Sequence, residues 1–332
     1  MGYSLKRLRH LLKDPPAEVH YASSDPEDPR VGDFVEPIAR MSTRKRVNCV
    51  LIGMPQHIGV ERNNGRPGAA GAPTEIRKAL YRMATSSVVS KIRAGKLAIV
   101  DAGDVDTEGK TLEQMHDTMH DAVVDVISAG AIPIVLGGGH DTAWPTMRAL
   151  MTLSKPLQVV NIDAHADVRP LHDGVRAHSG SPFRQLLSAE NTSLVEGGFV
   201  EFGLQHTAVA ATHVQYVKDK GMRVMMLDEI RERGVTSSWM SALDRTDASL
   251  FVSLDMDCFA SAFAPGVSAP AADGFTPGEI AACLRHAGRQ QRLVAFDVVE
   301  MNPLYDVDGR TAKLAATTIL NLIAGIADRP LS

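Results

Sequence analysis

The chain has 332 residues, 44% of them hydrophobic and 22% charged, and a formal net charge of −4. It can therefore bury one large core or two smaller ones, and it offers no basic field for nucleic acid or an anionic membrane. No apolar run nears the roughly 18–20 residues of a membrane span, and Met1-Gly2-Tyr3-Ser4-Leu5-Lys6 lacks both a secretory core and the myristoylation serine. Cys49, Cys258 and Cys283 are odd in number and lack metal spacing, so reduced thiols in a cytoplasmic protein are expected.

Residues 13–36 are rich in proline, aspartate and serine without sustained periodicity. They belong to an N-terminal extension, 1–46, that wraps the body or is partly mobile. Arg44-Lys45-Arg46 reads as a solvated entry to the first strand, and the body begins near Val47. From there strand-like runs at 49–53, 97–101, 132–136, 158–162, 199–203, 223–227, 249–254 and 293–298 alternate with helical stretches. Thr111-Leu112-Glu113-Gln114 opens one helix, closed by Gly130. Thr276-Pro277-Gly278-Glu279 opens another, closed by Gly288. An apolar helix over 311–326 is expected to pack on the sheet or a neighbouring subunit. The alternation predicts an α/β, single-domain, three-layer αβα fold over 47–332, with a parallel sheet of about eight strands and its site at their carboxyl ends.

Three of the apolar runs stop at chemistry. His140-Asp141 follows Gly137-Gly138-Gly139, Asp163-Ala164-His165-Ala166-Asp167 follows the run ending at Ile162, and Asp255-Met256-Asp257 follows the run ending at Leu254. If strand geometry persists there, residues i and i+2 face one side, so Asp163 with His165, and Asp255 with Asp257, aim at one place. Burying these groups unpaired would cost several kcal/mol each, which argues for neutralising cations. His140, Asp163, His165, Asp167, Asp255 and Asp257 make a hard to borderline donor set that suits manganese, iron(II), cobalt or zinc. Six donors over-supply one ion and suit two ions that share carboxylates and hold a hydroxide.

These segments carry a resemblance to the ureohydrolase superfamily of arginases, agmatinases and formimidoylglutamases: Gly-Gly-Gly-His-Asp at 137–141, Asp-Ala-His-Ala-Asp at 163–167, Ser-Leu-Asp-Met-Asp at 253–257 and Glu-Met-Asn-Pro at 300–303. The stretches at 62–70, 167–169, 178–183 and 264–271 resemble formimidoylglutamases most. The resemblance implies two Mn2+ ions per subunit. One is held by His140, Asp163, Asp167 and Asp255, the other by Asp163, His165, Asp255 and Asp257, with Asp163 and Asp255 bridging. It also implies an arginase-like fold, Glu300 pairing with a planar cation, His178 as proton shuttle, Asp141 orienting groups around His140, and a homo-oligomer.

The expected reaction is hydrolysis of N-formimidoyl-L-glutamate to L-glutamate and formamide by a metal-bridging hydroxide. A substrate with two carboxylates needs cationic or backbone donors at the far end of its pocket. Arg169 is the first candidate, followed by Arg62 and Arg66, with Arg176 and Arg184 behind them; Ser179 and Gly180 are expected beside the substrate. Ala269 stands where arginase-like chains tend to carry threonine near a guanidinium, and a formimidoyl group has one nitrogen fewer to satisfy. A guanidino-acid amidinohydrolase releasing urea keeps the same chemistry with another substrate. A non-catalytic binding protein predicts damaged ligands, and none of the six is damaged. A phosphoesterase would want a lysine after the glycine triplet, where His140 stands.

Overall fold

Short apolar runs buried along their length form the centre of one sheet, because only strands covered on both faces can hide them. In the computed structural model, which describes residues 5–23, 25–41, 47–84, 86–153 and 156–330, the strands are β1 (Leu12–Lys13), β2 (Val35–Pro37), β3 (Cys49–Gly53), β4 (Ile99–Val105), β5 (Ile132–Leu136), β6 (Leu157–Ile162), β7 (Leu194–Leu204), β8 (Arg223–Met226), β9 (Ser249–Asp255) and β10 (Leu293–Val299). Arg44-Lys45-Arg46 and residues 1–4 lie outside the described residues.

The strand order is β1-β4-β3-β5-β10-β9-β6-β7-β8, with β2 also on β4. Pairings among β3 to β10 are parallel, as the alternation with helices requires. The strand count exceeds the expected eight because the N-terminal extension supplies two. β1 runs antiparallel against Val105 and Asp104, and β2 runs parallel against Ile99 to Asp101. Leu8, Val19, Val31 and Ile38 of the extension are buried, so it is packed into the sheet edge.

Both expected capping boxes form. Thr111 and Gln114 exchange hydrogen bonds at the start of the helix Leu112–Ser128, and Thr276 and Glu279 do so before Pro277–Arg289. The second helix runs one residue past Gly288, whose missing side chain serves packing. A Cβ there would sit 2.2 Å from the Leu322 carbonyl oxygen on the helix Arg310–Ala327. That last helix buries Leu314, Ile319, Leu322 and Ile323 in the same core as Leu51, Ile134 and Phe296 of the sheet. No helix among the described residues is long and apolar enough to cross a membrane.

One consequence of the topology governs the site. β5, β10, β9 and β6 are consecutive in the sheet, so the carboxyl ends that bear His140, Glu300, Asp255 and Asp163 stand side by side although 160 positions separate His140 from Glu300.

Candidate metal centre

The ligands converge through local turns rather than continued strand geometry. β6 ends at Ile162 and β9 at Asp255, where a 3-10 turn over Met256–Cys258 begins. Asp163 Oδ1 accepts from the backbone N–H of His165 at 2.7 Å, and Asp255 Oδ1 accepts from that of Asp257 at 2.8 Å. Each acid thus folds the chain back on itself, bringing the residue two positions on to the same centre. On the β5 side the chain passes so close to Gln56 that a Cβ on Gly138 would lie 1.8 Å from its carbonyl oxygen. The glycine triplet is therefore a close-approach device that delivers His140, not a phosphate cradle.

His140 Nδ1 lies 3.2 Å from Asp163 Oδ2 and 3.0 Å from both Asp167 Oδ2 and Asp255 Oδ2. It makes no properly directed hydrogen bond to any of them. A ring nitrogen surrounded by three carboxylate oxygens but bonded to none has the arrangement of a ligand facing a shared centre. His165 Nδ1 lies 3.0 Å from Asp257 Oδ2 and 3.6 Å from Asp163 Oδ1, and Asp257 Oδ1 is buried without a partner. Two sets of donor atoms follow: His140, Asp163, Asp167 and Asp255, and Asp163, His165 and Asp257. Asp163 belongs to both. Asp255 falls in the first, with its Oδ2 3.0 Å from His140 Nδ1. Oxygen and imidazole donors without thiolate fit manganese.

Without a cation, the electrostatics favour protons in the cage. The Asp257 charge is the largest cause that lifts His165 well above the usual imidazole range, and burial pushes Asp257 up to about 6. Burial also raises Glu300 to about 8. Glu300 and Asp167 have backbone φ of 62° and 44°, left-handed conformations that are uncommon for non-glycine residues.

A cavity of about 270 Å³ opens over both sets and is lined by His165, Asp167, Asp255, Asp257 and Glu300 together with Asn63, Arg66, Arg169, Ser179, His213 and Ala269. A larger cavity of about 430 Å³ at the amino ends of the strands, beside Asn48 and Arg329, is lined by no acid or histidine. The smaller of these two is the one that carries members of both donor sets.

The other expected site residues separate into two groups. Glu300 Oε1 accepts from the His140 N–H at 2.8 Å, leaving its second oxygen for the cavity. Arg169, exposed in the cavity wall, has Nη1 on Asn63 Oδ1 at 3.2 Å, and Asn63 Nδ2 donates to Ser179 Oγ at 3.1 Å. Gly180 is one layer back, where its carbonyl accepts from the Arg169 N–H at 2.8 Å.

Four further expected residues have their side chains engaged by other parts of the chain. His178 Nε2–H donates to the Pro170 carbonyl at 2.9 Å and Nδ1 accepts from Gly180 N–H at 3.2 Å, so both ring nitrogens are engaged within the loop. Burial lowers its pKa, consistent with a neutral ring. Asp141 faces away from the metal donors, taking His116 Nε2 at 2.8 Å and Gln56 Nε2 at 2.9 Å on one oxygen; it ties the turn to the helix Leu112–Ser128 and to the β3 exit loop. Arg62 pairs with Glu113 at 2.6 Å and donates to the Ala177 carbonyl, outside the cavity. Arg66 does line the cavity, but its guanidinium is engaged by the carbonyls of Val267 and Ser268 and lies 3.9 Å from the centre of the Tyr305 ring. Asn63 and His213 were missed. Asn63 sits in the Arg62-to-Ala70 motif, whereas nothing in the helical stretch around His213 distinguishes it from a surface histidine.

The arginase family model matches residues 47–325. Formimidoylglutamase of Aromatoleum aromaticum is 32% identical over 312 residues, covering 92% of this chain and 91% of that protein. A crystal structure of Trypanosoma cruzi formiminoglutamase with Mn2+2 superposes with a TM-score of 0.82 at 34% identity, covering 91% of this chain and 100% of the other. Formimidoylglutamase of Bacillus subtilis, at 23% identity and a TM-score of 0.84, shares the fold over 94% of this chain and 96% of its own. With its donor sets, sheet order and strand-end motifs in place, the chain belongs to the arginase family.

Proposed function

We propose that this protein hydrolyses N-formimidoyl-L-glutamate to L-glutamate and formamide with two manganese ions per subunit. The observation that carries the reading is one cavity with a carboxylate-imidazole cage at its floor and a guanidinium in its wall. His140, Asp163, Asp167 and Asp255 would hold one ion, and Asp163, His165 and Asp257 the other. When bound, such a pair would supply hydroxide at neutral pH.

The chain's own groups then place the substrate. The free oxygen of Glu300 meets an amidinium N–H and holds the flat carbon above the cage. Arg169, positioned by Asn63, meets a carboxylate at the other end, with Ser179 beside it. Ala269 leaves the amidine end of the wall without a hydroxyl, which suits a group with one nitrogen fewer than guanidine. Residues 47–332 form the catalytic domain on this reading, with 1–46 as its edge extension. Family habit supports a homo-oligomer, and three unpaired thiols agree with a cytoplasmic setting.

A guanidino-acid amidinohydrolase would use the same cage, with Arg169 on its single carboxylate. The products separate the two. Manganese-loaded protein given formimidoylglutamate is expected to release formamide and glutamate in equal amounts; urea from a guanidino acid, with no turnover of formimidoylglutamate, would overturn the proposal.

A further inference from the structure

A substrate with two carboxylates needs a partner for each, and Arg169 can serve one. The other arginine of the cavity, Arg66, is engaged by the carbonyls of Val267 and Ser268, while the acids Asp167, Asp255, Asp257 and Glu300 repel anions. Three carbons separate the two carboxylates of a glutamyl chain, so one guanidinium cannot hold both in its fork. His213 lines the same cavity, half-buried, and among the described residues its ring makes no hydrogen bond.

The helix that carries His213 is fastened to the loop that carries Arg169. His213 stands in the first turn of the helix Ala211–Asp219, and Tyr216, one turn on, has its ring centre 3.6 Å from the Arg184 guanidinium carbon. Arg184 Nε donates to the Val168 carbonyl at 2.8 Å, between Asp167 and Arg169, and Val168 and Val217 are buried in one apolar cluster. No side chain caps the helix and no acid stands in its first turn; Ala208, two residues before the N-cap Ala210, also lines the cavity. The positive end of the helix is thus left open to an anion. Burial, reinforced by the charges of Arg169 and Arg184 against that of Asp167, holds His213 below the usual imidazole range. In the empty cavity the ring is neutral, with one N–H to give.

We propose that His213 is a specificity-determining residue, donating a ring N–H to one carboxylate of the substrate while Arg169 meets the other. The inference rests on the reading of this cavity as the site of a formimidoyl dicarboxylate. A carboxylate against the ring favours a second proton on it, so the bond becomes charge-assisted when substrate binds. A monocarboxylate leaves one of the two donors without a partner, which lowers its affinity relative to the dicarboxylate.

The test is steady-state kinetics of the Mn2+-loaded full-length protein on N-formimidoyl-L-glutamate and on two analogues that each lack one carboxylate, N-formimidoyl-4-aminobutyrate and N-formimidoyl-L-glutamine. His213→Gln should raise KM for the dicarboxylate about 10–100-fold, with much smaller changes in kcat and in Mn2+ stoichiometry. It should raise KM similarly for one analogue and leave the other unchanged, and Arg169→Ala should show the reverse preference. His213→Lys, which returns a charged donor, should recover most of the affinity for the dicarboxylate. An unchanged KM in His213→Gln would overturn the proposal, as would the same rise for all three substrates, or sensitivity of the same analogue to both variants. Wild-type protein that turns over none of the three would instead sink the reading of the cavity on which the proposal rests.

Discussion

At the scale of single residues, protons and cations compete for the same atoms. In the metal-free cage His165 is held above its usual pKa chiefly by the Asp257 charge, and Asp257 is raised to about 6 by burial. A cation must displace whatever protons these groups retain, so Mn2+ binding releases protons and tightens as pH rises. The gain should reach about tenfold per pH unit for each proton displaced. Calorimetry between pH 6 and 8 in buffers of different ionisation enthalpy checks both sign and number; an affinity that falls with pH would contradict it. Arg169→Ala should raise KM for a dicarboxylate about 10–100-fold, the equivalent of one hydrogen-bonded charge, with kcat and Mn2+ stoichiometry nearly unchanged. An unchanged KM would remove Arg169 from the substrate site. The six donors were legible because their residue types and spacing are unusual together. The partners of His178, Asp141 and Arg62 were not, because they come from other segments: the Pro170 carbonyl, His116 and Glu113 are invisible in the motifs they complete.

At the scale of elements, the capping boxes and apolar runs named most helices and strands, since those signals are local. The strand-end spacing was read for the wrong local reason. Asp-x-His and Asp-x-Asp converge because each first acid caps its own turn, so the spacing survives although the strand does not. The extension shows the limit of composition as a guide. Its two- and three-residue strands are too short for periodicity, and they exist because β4 offers an edge. That edge is fastened by Arg77, fully buried, which meets Asp101 at 2.9 Å and Asp104 at 2.6 Å, while the Tyr81 hydroxyl donates to Asp101. Arg77→Ala would leave two buried acids without their cation and should lower unfolding free energy by about 3–5 kcal/mol. Urea unfolding measures it; a loss below about 1 kcal/mol would show that the acids find other partners.

At the scale of the whole molecule, the fold class and the carboxyl-end location of the site followed from βαβ alternation, but strand order did not. Nothing local places the strand before Glu300 between those before His140 and Asp255, and that order assembles the centre from segments far apart in the chain. The resulting claim is that the carboxyl ends of β5, β6 and β9 together hold two cations below the cavity. Anomalous diffraction at the manganese edge from crystals grown with excess Mn2+ tests this most directly. Two peaks are predicted, roughly 3.5–4 Å apart, one among His140, Asp163, Asp167 and Asp255 and the other among Asp163, His165 and Asp257; donors left without a peak, or a single ion bound elsewhere, would contradict it.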